Sequence, residues 1–228
     1  MKIELLADAE TVAQEAARLI AADARAAVTA RGRFIAAFSG GKTPWLMLRA
    51  LADQDVPWEG FHLVQVDERV APAQSDDRNL THLRKSLLDH VPIRAQQVHT
   101  MPVETSDLDA AARSYALALQ KIAGSPVVLD LVHLGLGPDG HTASLTPGDP
   151  VLDVTDRDVA PTRIYQGRRR MTLTYPILNR ARRILWVVTG REKSEMLSRL
   201  KKSDPLIPAG RVRADNALVL ADRAAAGD

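Results

Sequence analysis

The sequence predicts an α/β fold, a doubly wound and mostly parallel sheet with helices on both faces, as a single domain over residues 1–228. Three observations carry that prediction. Segments with the apolar spacing of helices alternate along the chain with short apolar runs of strand length. The runs are apolar at nearly every position rather than at every second one, as in strands buried on both faces. Three motifs rich in glycine or charge follow directly on strand ends, after residues 38, 66 and 134. Parallel sheets bind their ligands at such ends, so the three motifs belong to one site.

Taken in order, residues 8–30 read as a helix behind an Asp8 cap, and "RFIAAFS" (33–39) as a strand running into Gly40-Gly41. "TPWLMLRALAD" restarts a helix, with Thr43 as N-cap and Pro44 at the first helical position. "HLVQVD" (62–67) is a strand, "RNLTHLRKSLLDHV" (78–91) a helix and "SDLDAAARSYALALQKIA" (106–123) another helix. "VVLDLVHLGLG" (127–137) and "RILWVVTG" (183–190) are strands, "REKSEMLSRLKK" (191–202) is a helix, and "NALVLAD" (216–222) is the last strand. Residues 223–228 are expected to fray.

Composition narrows the function classes. An apolar fraction of 46% and a charged fraction of 25% describe an ordinary globular protein. With no cysteine, disulfides, thiolate metal sites and a cysteine nucleophile are excluded. Lys2, Glu4, Asp8 and Glu10 interrupt any signal-peptide core. No apolar stretch approaches the roughly 20 residues that span a bilayer, so the expectation is a cytoplasmic protein without a membrane partner. A net charge of +2 argues for no nucleic-acid partner. The clusters "GRRR" (167–170) and "RARR" (180–183), with Lys201 and Lys202, read as solvated faces, Arg170 excepted. Nothing in the sequence sets an oligomeric state.

Two motifs imitate nucleotide loops. In "GLGPDGHTASLTP" (135–147), Gly135, Gly137 and Gly140 spell G-x-G-x-x-G. A dinucleotide site needs a full helix next, within a crossover of a dozen residues or more; Pro147 and Pro150 leave no room for it. "SGGKT" (39–43) imitates the end of an ATP-binding P-loop, but Ala36 stands where the first glycine belongs and lies within strand. What survives is an anion site. The amides of Gly40, Gly41, Lys42 and Thr43 meet the positive end of a helix dipole, which favours a phosphate. His141 sits on a glycine-bearing loop at a strand end, and an ordinary histidine pKa of about 6.5 suits a general base. His133 reads as a hydrogen-bonded core histidine. His62, His82, His90 and His99 lack metal-ligand spacing, so no metal is expected.

In order and spacing, "FSGGKTP", "VDERV", "LGLGPDGHTASLTPG", "RMTLTYPIL", "VTGREKSEML" and "ALVLAD" resemble the 6-phosphogluconolactonase family, from about residue 10 to residue 222. The resemblance implies hydrolysis of 6-phospho-D-glucono-1,5-lactone to 6-phospho-D-gluconate, the second step of the oxidative pentose phosphate pathway. It implies no cofactor, a phosphosugar lactone as the small-molecule partner, and a Rossmann-like sandwich shared with glucosamine-6-phosphate deaminase. It places the family's catalytic histidine at His141 and two phosphate-gripping cations at Arg170 and Lys193. Lysine is unfavourable at a helix N-terminus, which itself points to function at Lys193.

Chemistry suggests roles for the remaining residues. Asp139 orients the imidazole or binds substrate. Asp67 faces the sugar hydroxyls or the attacking water, or is a strand-end carboxylate paired with Arg69. Arg69 joins the phosphate grip, and amides near Gly137 and Gly140 serve the oxyanion. The rival reading is the deaminase, whose pattern has Asp-Glu-Tyr in place of Asp67-Glu68-Arg69 and a glutamate in Ile-Ala-Phe-Asn-Glu-Pro after the histidine. Here "TASLTP" supplies no carboxylate. A non-catalytic phosphosugar sensor would need a DNA-binding segment, and only one long helix fits before residue 33. Two departures from the lactonase pattern, Thr146 for phenylalanine and Arg78 for a serine before Asn79, bear on local packing or rim contacts.

Overall fold

The computed structural model describes residues 1–227. Its strands are β1 (Lys2–Leu6), β2 (Phe34–Phe38), β3 (Phe61–Gln65), β4 (Asp67–Arg69), β5 (Val98–His99), β6 (Leu131–Leu134), β7 (Val159–Pro161), β8 (Arg170–Leu173), β9 (Arg183–Val188) and β10 (Ala217–Asp222). Its α-helices are α1 (Ala9–Arg31), α2 (Lys42–Ala52), α3 (Asn79–Ser86), α4 (Leu108–Ala123), α5 (Tyr175–Arg180), α6 (Ser194–Lys201) and α7 (Arg223–Ala226). Seven strands form one sheet in the order β1-β10-β9-β6-β2-β3-β5, and every neighbouring pair is parallel.

The sheet is buried on both faces, which is why its strands read as unbroken apolar runs. Phe34, Ala36 and Phe38 of β2 pack with α1 and α2 in one core layer. Ile35 and Ala37 of the same strand pack into the other, with Tyr115 and Leu119 of α4 and Leu197 of α6. In α1, Asp8 accepts the Thr11 amide at 2.8 Å as N-cap, and the buried face is mostly alanine. Small side chains there let a helix of 23 residues lie close on the sheet.

From β2 the chain proceeds outward to β3 and β5, whereas β6, on the other side of β2, leads outward to β9 and β10. The loops after β2 and β6 therefore diverge and leave a crevice between them. A second sheet, β4-β8-β7, is antiparallel and caps this end of the first. Val66 joins the two: its N–H donates to Phe38 O of β2, and its carbonyl accepts from Leu173 N of β8.

Several elements differ from expectation. Residues 62–67 are not one strand, because Asp67 starts the second sheet. Residues 127–137 contribute only Leu131–Leu134 to the main sheet. The strand β1 carries charges because it is a half-exposed edge, so its composition hid it. The N-cap of α2 is Gly41 rather than Thr43, whose hydroxyl instead meets that of Thr189. Arg223–Ala226 forms a helical turn capped by Asp222, with Ala225 buried, in place of frayed chain; Asp228 lies outside the described residues.

Candidate active site

Nine of the ten residues that the sequence singled out line one cleft of about 540 Å³: Gly40, Gly41, Lys42, Thr43, Asp67, Arg69, His141, Arg170 and Lys193. Asp139 stands directly behind His141. The cleft is built from the loops after β2, β6 and β9, closed by the small antiparallel sheet.

The loop after β6 shapes the histidine. The N–H of Gly137 donates to His141 O at 2.8 Å, and that of Gly140 to Gly137 O at 3.0 Å. These bonds fold "GPDGH" into a tight turn, and they consume both amides. The expectation that Gly137 and Gly140 serve an oxyanion is therefore corrected: their N–H groups close the loop. Gly137 is required for another reason. A Cβ there would lie 2.1 Å from His141 Nδ1 and 2.7 Å from Asp139 Oδ1, inside the space those two groups use to meet.

Asp139 accepts from His141 Nδ1 at 2.5 Å and from the His141 amide at 3.2 Å, both through Oδ1. Burial acts to raise the Asp139 pKa, but His141 and its hydrogen bonds, with that of Tyr165, outweigh it and hold the carboxyl below its ordinary value. An ionised carboxylate only accepts, so the proton of the neutral imidazole sits on Nδ1. That leaves Nε2 with its lone pair and no partner among the described residues, on a side chain 21% exposed.

Asp67 is 4% exposed. Ser144 Oγ donates to its Oδ2 at 2.6 Å, and Asn79 Nδ2 to its Oδ1 at 3.3 Å. Burial pushes its pKa up, while Ser144, Arg69 and Arg170 pull the other way. No ion pair joins Asp67 to Arg69 among the described residues, so the paired-carboxylate alternative fails. The Arg69 Nη1 instead donates to Asp77 O at 3.0 Å.

Arg69 and Arg170 stand opposite one another in the β4–β8 register. Arg170 is only 4% exposed, yet no carboxylate pairs with it; burial lowers its pKa, and its one hydrogen bond goes to Gln166 Oε1 at 3.4 Å. Among the described residues, Lys42, Arg69, Arg170 and Lys193 all lack ion-pair partners. The buried Asp67 acts on Arg69 and Arg170 without a direct ion pair, so the cleft holds more cations than carboxylates paired with them, which costs free energy unless an anion joins them. Four other arginines of the two clusters behave differently: Arg168 pairs with Asp77, Arg180 with Asp158, Arg182 with Asp130 and Arg183 with Asp23. Arg169 donates only to Thr162 O, at 3.5 Å. Lys193 occupies the N-cap position of α6, and the preceding Gly190 N–H is held by Asp222 at 3.1 Å.

Sequence reasoning missed three residues here. Tyr165 donates its phenol proton to Asp139 Oδ2 at 2.9 Å. Asn79 holds Asp67, and Asp222 holds the Gly190 turn. Nothing local to Tyr165 signals a site; Asp222, which closes the motif "ALVLAD", and Asn79, beside the Arg78 departure, could have been flagged. Arg78 is no rim residue either. It is buried, hydrogen-bonded to Ala71 O and Glu104 and ion-paired with the fully buried Glu68.

The family model of glucosamine-6-phosphate isomerases and 6-phosphogluconolactonases matches residues 7–220. The chain belongs to this family. It is 37% identical to the 6-phosphogluconolactonase of Mycobacterium tuberculosis over 238 residues, covering 98% of this chain and 96% of that one. The solved 6-phosphogluconolactonase of Thermotoga maritima superposes with a TM-score of 0.86 at 28% identity, over 97% of this chain and 98% of that one. A monomeric glucosamine-6-phosphate deaminase superposes equally well, TM-score 0.86 over 100% and 99% of the two chains, at 19% identity. That likeness establishes the shared fold and nothing finer.

Proposed function

We propose that this protein hydrolyses 6-phospho-D-glucono-1,5-lactone to 6-phospho-D-gluconate in the oxidative pentose phosphate pathway. One observation carries the reading: an imidazole whose Nδ1 is held by Asp139 and whose Nε2 is free shares a cleft with unpaired cations. Family membership and the named relatives support it.

In this mechanism His141 Nε2 takes a proton from water, and the resulting hydroxide adds to the lactone carbonyl. Asp139 keeps the imidazole oriented through its Nδ1 proton. The tetrahedral oxyanion forms in the positive field of the cleft. Its collapse expels the ring oxygen, which takes the proton back from His141. The acid product then ionises. Arg170, Lys193, Arg69 and the amides of Gly40, Gly41, Lys42 and Thr43 hold the 6-phosphate, which carries about −1.5 to −2 charge at neutral pH. Asp67, with both oxygens already bonded, steadies the two arginines and presents its remaining lone pairs to sugar hydroxyls. The reaction draws on protein groups alone, without cofactor or metal, and the setting is the cytoplasm.

The residues after His141 favour lactone over aminosugar. Thr142, Ser144 and Thr146 are buried and uncharged, so the segment brings no glutamate to the histidine. The test is an assay on freshly generated lactone beside glucosamine-6-phosphate. Purified protein accelerates lactone loss, with or without chelator. Ammonia release from the aminosugar at a comparable rate would falsify this reading.

A further inference from the structure

The strands β7 and β8 are joined by a hairpin that hangs over the cleft. Tyr165 and Arg168 close it, with Tyr165 N donating to Arg168 O at 2.9 Å and Arg168 N to Tyr165 O at 3.2 Å. Between them Gln166 and Gly167 both have positive φ, 51° and 77°, the backbone of a two-residue turn whose twist matches its strands. The hairpin is anchored on both arms: Arg168 Nη2 meets Asp77 Oδ2 at 2.6 Å and Val70 N donates to Arg169 O at 2.9 Å on one, and Arg163 N donates to Asp149 Oδ2 at 2.9 Å on the other. Tyr165 is therefore presented by a braced element rather than by a loose loop.

Its side chain touches both halves of the site. The hydroxyl donates to Asp139 Oδ2 at 2.9 Å and lies 3.5 Å from His141 Nδ1. The ring meets the imidazole edge-on, with centroids 5.4 Å apart at 65°. On its other side the Arg170 guanidinium carbon lies 4.9 Å from the ring centroid, within cation–π range. Asp139 is thereby divided, Oδ1 to the histidine and Oδ2 to the tyrosine.

We propose that Tyr165 is a positioning residue for the hydrolysis: its hydroxyl fixes Asp139 against His141, and its ring fixes Arg170 in the anion-binding half of the cleft. The inference rests on the reading of His141 as the base. Its two functions are chemically separable, because phenylalanine keeps the ring and loses the hydroxyl. The charged and titratable groups acting on this arrangement are His141 and Tyr165 on Asp139, and Asp139 and Arg170 on Tyr165.

Without the phenol, the carboxylate charge is no longer shared. Asp139 then stabilises the imidazolium more strongly but orients it less well. For Tyr165→Phe, kcat falls about tenfold, the scale of one hydrogen bond to a charged group, while KM holds. The acidic limb of the kcat/KM profile moves to higher pH, a shift that loss of packing alone would not produce. Tyr165→Leu, which removes the ring as well, raises KM for the phosphorylated lactone but not for unphosphorylated gluconolactone. His141→Gln serves as the control. If His141→Gln is inactive while Tyr165→Phe keeps wild-type kcat and an unmoved limb, the tyrosine inference is wrong and the base reading stands. If His141→Gln stays active, the base reading itself fails.

Discussion

His133 and His141 lie eight positions apart, one within β6 and one just beyond it, and their chemistry is opposite. His133 is fully buried. The Ser39 amide donates to its Nδ1 at 3.3 Å, its Nε2 proton has no partner, and burial depresses its pKa to about 3. It stays neutral and tethers the start of the β2 loop to the sheet. His141 is partly exposed and has a carboxylate behind it. In the proposed reaction His141 serves as base because one nitrogen is oriented by an acid and the other is left for substrate, whereas burial against apolar strands makes His133 a strut.

The largest effect that would break this comparison is on turnover. His141→Gln lowers kcat by about 10²- to 10⁴-fold, the usual yield of general acid–base catalysis, with substrate binding little changed. His133→Asn, which keeps an acceptor for the Ser39 amide, loses stability rather than turnover. Steady-state kinetics beside denaturant unfolding separates the two. A fully active, folded His141 variant would transfer the base role to another group.

Next come the cations. Arg170→Ala and Lys193→Ala each lose about ten- to a hundredfold in kcat/KM on the phosphorylated lactone, from about 1.5–3 kcal/mol per charge-assisted bond. The penalty shrinks on unphosphorylated gluconolactone, where no phosphate remains to be gripped. Equal proportional losses on both substrates would mean that these residues support the fold or the chemistry instead.

The smallest effect sharpens the contrast at His133. Its folded pKa lies below its unfolded value of about 6.5, so its neutral form adds stability above that pH. As pH falls from about 6.5 towards 3, the unfolded chain binds a proton that the folded chain refuses. Stability then declines by up to about 1.4 kcal/mol per pH unit. His62 and His99, paired at 3.2 Å across β3 and β5 and both depressed chiefly by burial, add to the same trend. Urea unfolding at pH 7 and pH 5 measures it. His133→Asn flattens the slope; an unchanged slope would assign acid sensitivity to other groups.

Much of the site was legible because its parts are local. The Gly-Gly pair before α2, the strand that ends at "GLGPDGH" and the lysine at a helix start all announce themselves within a few residues. The lack of a crossover helix after "GLGPDGH" was legible as well: no α-helix follows Gly140 before α5. Errors fell where distant backbone decides the outcome. The break of residues 62–67 at Val66 depends on pairing with β8, more than 100 positions later. The direction of the Gly137 and Gly140 amides was not legible either, because it follows from how the loop closes.

The sequence by itself determined the fold class, the buried strands, the strand-end loops and the histidine on one of them. These rest on periodicity and on glycine and proline chemistry, which act over a few residues. Tertiary structure alone decided that Arg69 faces Arg170, that Tyr165 reaches Asp139, and that Glu68 is a buried anchor rather than a site acid. Register and hairpin placement fix those contacts, and both arise from packing between segments far apart in the chain. No local preference encodes them.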